Sequence, residues 1–210
     1  MHRLKIPALK ARVLKTIGRP VCLALLAFAA AGCQMPPTKQ AFPALTYAHK
    51  GQIAFNVGRI EVVSRYISPM QAPNVEHLAP VPPAQALMQW GHDRLRADGG
   101  PGLVRFTVTE AKIVDVPLPI EGGVRGSFTR QQSDRFVETL AAEIAVLDDQ
   151  GNQKGFVRAS TERSRTVAEG TPPAERDKVL FELTEAAMND MDANLEQAIR
   201  AHLARFVQPQ

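Results

Sequence analysis

Two stretches of alternating apolar and polar residues, joined by a polar turn, constrain the fold of this chain more than any other feature. In residues 136–147, five apolar side chains share one parity and so lie on one face of a strand: Phe136, Leu140, Ala142, Ile144 and Val146. Such alternation is typical of a strand with one buried face. Residues 148–152 supply turn-forming side chains, and an alternating stretch follows at 156–167. The pattern predicts a long antiparallel hairpin.

The second half of this hairpin is polar toward its end. Arg158, Glu162, Arg163 and Arg165 lie close together there. Charged side chains discourage pairing with other chains and are typical of a strand at the edge of a sheet. We therefore predict an edge strand over 156–167, which is also one candidate surface for a partner.

Two more strands are predicted upstream. Residues 53–63 carry apolar side chains on both sides of Gly58, and we predict one strand with a bend or a bulge near that glycine. In residues 104–113 the alternation slips by one position between Val108 and Ala111. Because one extra residue moves every later side chain to the other face, the slip predicts a β-bulge.

Two segments have the spacing of amphipathic helices. Leu87, Trp90 and Leu95 form an apolar stripe in residues 83–97, which two glycines then end. The second helix begins after Thr171, whose side chain we predict to cap its free N–H groups. Its apolar positions recur every three or four residues: Leu180, Leu183, Ala187, Met191, Leu195, Ala198, His202 and Phe206.

The predicted order of elements is β-α-β-β-β-α. Two amphipathic helices need a common apolar surface, and a four-stranded sheet provides it when both helices lie on one face. We predict an α+β fold, a two-layer sandwich of a four-stranded, largely antiparallel sheet with two helices on one face. The globular domain is expected to span residues 51–210.

The N-terminal segment has the composition of a secretory signal. Six basic residues and no acidic ones precede an apolar run at 21–33. As a helix this run would cover roughly 20 Å, against the ~30 Å of a bilayer's hydrocarbon core. A membrane-spanning helix is therefore not expected here.

The end of that run, Ala30-Ala31-Gly32-Cys33, resembles the lipobox of bacterial lipoproteins. The resemblance implies cleavage between Gly32 and Cys33, removal of residues 1–32, and fatty acylation of Cys33. Gln34 stands where an Asp would retain the protein at the inner membrane, which implies a lipid-anchored protein of the outer membrane facing the periplasm. Residues 33–50, with three prolines, are expected to form an extended tether. An ordinary cleaved signal is the alternative, but it would leave Cys33 as one unpaired thiol in an oxidising compartment.

The predicted topology resembles that of small α/β envelope lipoproteins. These include the lipopolysaccharide-assembly lipoprotein and the auxiliary lipoproteins of lipid-transport ABC systems. The resemblance covers residues 52–207 and extends to no sequence motif beyond the lipobox, so it assigns no functional residue.

Charge argues against nucleic-acid binding. The chain has 25 basic and 21 acidic residues, and six of the basic residues belong to the signal, which leaves 19 basic against 21 acidic. A slightly acidic domain has no general attraction for phosphate backbones.

The residues that carry catalysis or metal binding lack the required spacing. His49, His77, His92 and His202 form no pair four residues apart on a helix, and no cysteine ligand is available to join them. Glu138 and Glu143 are five residues apart on one strand, so they point to opposite faces. We predict no catalytic residue, no metal, no cofactor and no enzymatic activity.

The loop between the second and third sheet strands is the one segment with a binding signature. Arg125, Phe128, Arg130 and Arg135 lie in this glycine-bearing connection. Arginine binds phosphate through paired hydrogen bonds, so these residues are candidate contacts for an anionic lipid or a partner protein. The alternative is a solvated loop whose charge Glu121 and Asp134 partly neutralise.

Three functions follow as hypotheses. The first is a non-enzymatic accessory or scaffold subunit in outer-membrane assembly or lipid transport, bound to the membrane through Cys33 and to an envelope protein. The second is a carrier that holds one lipid between sheet and helices. The third is an enzyme of unrecognised type, for which no nucleophile, base and orienting group can be assembled.

Overall fold

The computed structural model describes residues 41–119 and 131–208. The predicted α+β fold is confirmed, since a four-stranded sheet carries two α-helices. The elements are β1 (Ile53–Phe55), β2 (Arg59–Ser64), α1 (Pro83–Arg94), β3 (Leu95–Ala97), β4 (Leu103–Pro117), β5 (Gln132–Leu147), β6 (Gln153–Ala168) and α2 (Pro173–His202). The strand order is β2-β4-β5-β6; β2 and β4 are parallel, and the other neighbours are antiparallel.

Both helices cover the same face of this sheet. The ring of Trp90 in α1 packs against Phe106 of β4, with centroids 5.3 Å apart. On the same face of β6, Arg163 binds Asp190 of α2. The large side chains between the layers, Trp90 and Phe106 among them, are fully buried. The described elements leave the opposite face of the sheet uncovered.

The predicted hairpin, edge strand and bulge are confirmed. β5 and β6 are antiparallel, and the carboxylate of Asp148 in their turn accepts hydrogen bonds from the backbone N–H groups of Gln150 (3.0 Å) and Asn152 (2.8 Å). β6 lies at the edge of the sheet. The register of β4 against β5 shifts between Val108 and Glu110, where the sequence pattern slips.

The prediction of one bent strand over 53–63 is wrong. The chain forms two strands there, and each pairs with a different partner: β1 is parallel to β3, and β2 is parallel to β4. The break falls at Gly58, whose N–H donates to the carbonyl of Gly102 at 3.0 Å. A Cβ at position 58 would lie 3.1 Å from the backbone oxygen of Gly100. The glycine therefore lets two chain segments approach where the strand changes partner.

The first helix is shorter than predicted. It ends at Arg94, and residues 95–97 continue as β3, with Leu95 opposite Ile53. Leu95 is buried, as its place in the stripe suggested, but from an extended backbone. Helical spacing cannot exclude a short strand that begins in phase with the helix, because the pairing partner is far away in sequence.

The second helix occupies the predicted region, but Thr171 does not cap it. The Thr171 hydroxyl donates to the carbonyl of Ala168 at 2.6 Å, which closes the preceding turn instead. Pro172 and Pro173 begin the helix without a side-chain cap. The predicted stripe is buried from Leu180 to Leu195, whereas His202 is exposed at the end of the helix.

The last ten residues of the predicted tether belong to the compact body. This body begins at Ala41. Leu45 and Tyr47 are buried in the core, and the ring of Phe42 lies 5.0 Å from that of Phe181. Three apolar side chains thus hold residues 41–50 against the compact body, which proline content alone did not indicate. Residues 33–40 lie outside the described part of the chain.

Candidate functional site

Most of the residues singled out from the sequence lie outside the described residues. These are Gly32, Cys33, Arg125, Phe128 and Arg130. The exception is Arg135, which is exposed near the start of β5. The structure therefore locates one end of the predicted binding loop.

Arg135 lies beside the edge strand. In the ladders it is opposite Val116 of β4 on one side and Thr166 of β6 on the other. Paired residues in neighbouring strands project from the same face of a sheet. Arg135, the described end of the predicted binding loop, is therefore a neighbour of the edge strand at this end of the sheet.

The edge of β6 is covered near its start. Arg205 donates to the carbonyl of Lys154 at 2.6 Å, and Asn194 of α2 donates to the carbonyl of Ser160 at 3.2 Å. These bonds occupy acceptors that an added strand would use. Residues 155–159 lie between these two bonds, whereas residues 162–166 lie beyond both of them, toward the end of the sheet where Arg135 is found. We call residues 162–166 together with Arg135 the open end of the sheet.

A second arginine joins this end of the sheet to α2. Arg176 donates to Asp134 at 2.9 Å and to Asp115 at 3.2 Å, and its guanidinium lies 5.0 Å from the centroid of the Phe136 ring. The hydrogen bond from Arg176 lowers the pKa of Asp134. Burial and the nearby charge of Asp134 raise the pKa of Asp115. Arg176 thus holds the helix start on the sheet.

The opposite end of the helices contains a buried ionic network. Asp192 accepts hydrogen bonds from Trp90 Nε1 (2.7 Å), Lys50 Nζ (2.7 Å) and Arg94 Nε (3.1 Å). Arg94 also donates to the carbonyl of Lys50 at 2.8 Å and to Glu196 at 2.7 Å. Burial acts to raise the pKa of Asp192, but the bonds from Lys50 and Trp90 and the charge of Arg94 outweigh it and lower that pKa.

An open groove of about 470 Å³ lies over this network. Its lining combines apolar and charged side chains: Lys50, Ile53, Arg94, Glu196, Ile199 and Arg200. The volume falls within the range of small-molecule sites, about 300–1,000 Å³. The lining cations are already paired with carboxylates, including Arg200 with Glu196. The groove therefore offers little uncompensated positive charge to an anion.

Glu138 and Glu143 lie on opposite faces of β5, as predicted. Glu138 is fully buried against α2, where it accepts one hydrogen bond from Thr184 at 3.1 Å, and its other oxygen has no partner. Burial raises the pKa of Glu138 to about 8. Glu143 lies on the uncovered face and binds Arg65 at 2.8 Å and Arg158. Separated by the sheet, the two carboxyl groups cannot act as a pair.

Within residues 41–119 and 131–208, no three side chains of His, Cys, Asp or Glu are grouped as metal ligands. No helix in the same residues has the length and apolar character needed to cross a bilayer.

The sequence patterns did not indicate the Asp192 network. Trp90 and Arg94 are four residues apart on α1, and so are Asp192 and Glu196 on α2, so each pair lies on one helix face. Arg94, a charged residue one turn after Trp90 on the predicted apolar stripe, was the feature that could have indicated a buried ion pair. Its partners could not be assigned because Lys50, Arg94 and Asp192 are distant in the sequence.

No protein-family model matches the sequence, and no curated protein matches it at a significant level. Solved structures with similarity to this one include a minor lipoprotein from Acinetobacter baumannii, 17% identical, matched over 74% of this chain and 98% of that chain with a TM-score of 0.36. Rare lipoprotein B from Shewanella oneidensis is 11% identical, matched over 69% of this chain and 96% of that chain, also with a TM-score of 0.36. At these identities and TM-scores, neither likeness bears on activity, partners or site residues.

Proposed function

We propose that this protein is a non-enzymatic envelope lipoprotein, an accessory or scaffold subunit that binds a protein partner in outer-membrane assembly or lipid transport. The observation that carries the proposal is the open end of the sheet, where Arg135 adjoins the uncovered stretch of the edge strand. Exposed backbone groups and a cationic side chain then lie within one surface. That combination suits recognition of an extended, acidic segment of a protein.

The membrane anchor in this proposal is the acylated Cys33. Basic residues, a short apolar run and the sequence Ala-Ala-Gly-Cys support it. Several acyl chains on one cysteine bind a bilayer almost irreversibly, because each buried CH₂ contributes about 0.8 kcal/mol. With Gln34 after the cysteine, we place the protein on the periplasmic side of the outer membrane.

The covering of β6 supports a partner at the open end in particular. Arg205 and Asn194 bind the edge carbonyls of Lys154 and Ser160, so a partner strand would have to displace them there. At residues 162–166 it would meet no such competitor among the described residues. Arg125 and Arg130, from the loop that leads to Arg135, are proposed to extend the cationic part of this surface.

The carrier hypothesis has less support. The space between sheet and helices is filled by large, fully buried side chains: Trp90, Phe106, Phe136, Met188, Met191 and Leu195. The groove of about 470 Å³ lies at the ends of the helices, not between the layers. A lipid held between the layers would require this core to separate.

Site-specific photo-cross-linking in cells tests the proposed surface. A benzoylphenylalanine at position 164 is expected to link to a protein partner, because Ser164 is exposed in the open end. Ser160 is the matched control, since it lies on the same strand and face but its carbonyl is covered by Asn194. Equal cross-linking at 160 and 164, or none at 164, would contradict the proposed surface.

The cationic part of the surface has its own test. Replacing Arg125, Arg130 and Arg135 with Ser is expected to weaken the cross-link from position 164 at least tenfold while the unfolding midpoint in urea stays unchanged. Undiminished cross-linking in the triple variant would remove these arginines from the account and leave the edge strand alone as the binding surface.

A further inference from the structure

The loop that follows β2, residues 66–75, combines absence of charge with outward apolar side chains. None of its ten residues is acidic or basic. Ile67 is 87% exposed and Met70 is 64% exposed. Ile67 and Met70 are three residues apart in this loop, and exposed large apolar side chains that form a patch mark contacts with a protein or a membrane.

A buried carboxylate holds this loop in shape. Glu76, only 3% exposed, accepts hydrogen bonds from the Tyr66 hydroxyl at 2.7 Å, from the Ser68 hydroxyl and from the Ile113 N–H at 3.3 Å. Backbone bonds from Val75 N–H to the Ile113 carbonyl (2.8 Å) and from Asp115 N–H to the Pro73 carbonyl (2.9 Å) fix its far end on β4. These bonds fix the shape of the loop, so Ile67 and Met70 are exposed on a loop with a defined conformation.

The backbone at Met70 adds a second, independent observation. Its φ is 56°, in the left-handed region that favours glycine, and the Met70 N–H donates to the Ser68 hydroxyl at 3.2 Å. A large side chain at such a position costs backbone energy, and strained residues of this kind concentrate at binding sites. A glycine would adopt this turn more easily, but it would present no apolar side chain.

The chain just after this loop lies near the start of the described chain. Phe42 packs on Phe181 of α2 and lines a groove together with Pro80 and Val81, and Leu78 lines another groove together with Leu180. Cys33 precedes Ala41 by eight residues, which span at most about 29 Å even when fully extended. A lipid on Cys33 would therefore hold this side of the domain close to the bilayer.

We propose that residues 66–75 form a membrane-contacting loop, which inserts Ile67 and Met70 into the interfacial region of the bilayer that holds the lipid anchor. The inference rests on the proposed acylation of Cys33. The bilayer is favoured over a protein as the occupant because a charge-free tip can leave water without loss of ion hydration, and because the short connection to Cys33 places a bilayer within reach.

A fluorescent probe on the full-length protein tests this inference. The cysteine variants I67C and M70C are purified from membranes, labelled with nitrobenzoxadiazole, and reconstituted in vesicles of phosphatidylethanolamine and phosphatidylglycerol. With the Cys33 sulfur acylated and Cys22 removed, the introduced thiol is the one that reacts. We expect blue-shifted emission and at least twofold quenching by spin-labelled lipids at both positions.

The matched control is N189C, because Asn189 is exposed on the outer face of α2. Its probe is expected to keep the emission of a probe in water. Aqueous emission at both 67 and 70 in vesicle-bound protein would overturn the inference. The inference would also be overturned if the probes were shielded in native membranes but not in vesicles that contain only the labelled protein and lipid. That result would indicate that another protein covers the loop.

The anchor itself is measured separately, by incorporation of a palmitate analogue and by membrane fractionation. Loss of label and of membrane attachment in C33S supports the anchor. Unlabelled parent protein in the soluble fraction would contradict the proposed function. Labelled, membrane-bound protein with an aqueous probe at both loop positions would contradict only the loop inference.

Discussion

Asp192 of α2 and Glu138 of β5 are both buried carboxyl groups, yet their environments differ. Asp192 accepts hydrogen bonds from an indole, an ammonium and a guanidinium, and its pKa lies below its usual value. Glu138 accepts one bond from a hydroxyl, and its pKa is raised to about 8. Both side chains are almost closed off from solvent, and the donors around Asp192 outweigh the effect of burial on its pKa, whereas the single hydroxyl beside Glu138 does not.

The difference follows from where each group lies. Asp192 joins three parts of the chain, because Lys50 comes from the N-terminal segment and Trp90 and Arg94 from α1. Glu138 lies in a smaller apolar cluster with neighbours such as Phe136 and Leu183. The charged carboxylate of Asp192 holds these elements together. Glu138 is tolerated among apolar side chains because its carboxyl group stays protonated.

The largest expected effect comes from breaking the ionic network. Asp192→Ala leaves Arg94, which is 3% exposed, without its buried partner. We expect the free energy of unfolding to fall by about 3–5 kcal/mol. Urea unfolding followed by circular dichroism measures this loss.

Glu196→Ala is the matched control for that variant. Glu196 also binds Arg94, but its side chain is 30% exposed, and Arg94 keeps Asp192 when Glu196 is removed. We expect a loss of about 1 kcal/mol or less. Equal losses in the two variants would show that burial of the partner does not govern the network.

An intermediate, pH-dependent effect is expected at Glu138. In the unfolded chain this carboxyl ionises near pH 4.5, and in the folded protein near pH 8. Between these values the unfolded state binds fewer protons, so rising pH removes roughly 1 kcal/mol of stability for each pH unit. Glu138→Gln abolishes this pH dependence. As pH rises from 5 to 8, the free energy of unfolding of the parent should therefore fall relative to that of the variant.

Asp192 contributes the opposite sign in another window. Its folded pKa is lowered, so its stabilisation is complete above the unfolded value of 3.8 and is lost as pH falls below it. Urea titrations of the parent and of E138Q at pH 5, 6, 7 and 8 separate the two groups. A constant difference between parent and variant across this range would contradict a protonated Glu138.

The smallest effect is expected on the uncovered face. Glu143 binds Arg65 and Arg158, whose side chains are 66% and 64% exposed. Exposed ion pairs contribute between zero and about 1 kcal/mol. Glu143→Gln should lower stability by less than 1 kcal/mol, with a smaller loss at high salt, when followed by urea unfolding. A loss as large as that of D192A would contradict the contrast between buried and exposed carboxylates.

The long antiparallel elements were predictable from local pattern. β5, β6 and the bulge after Val108 are visible because period-two alternation reports which face is buried, and Asp148 begins a recognisable turn. Glu138 was visible too, as an acidic residue at a core position between Phe136 and Leu140. The pattern did not reveal its ionisation state, which depends on the donors of α2.

The failures share one cause, which is dependence on distant partners. Leu95 fits a helical stripe and a strand equally well, and only its pairing with Ile53 decides between them. The Asp192 network requires Lys50 and Arg94 to meet across the fold. Among the predicted site residues, Arg135 has a neighbour that the sequence did not suggest. Thr166 of β6 lies opposite it in the pairing of β5 with β6.

We propose that the domain is held at a membrane through a lipid on Cys33, and the mass of the N-terminal peptide of the mature protein tests this most directly. Protein is extracted from bacterial membranes, and its N-terminal peptide is identified by mass spectrometry. We predict a peptide that begins at Cys33 and carries a diacylglycerol with one further acyl chain. An N-terminus at Met1, or an unmodified Cys33 in a cleaved protein, would contradict the account.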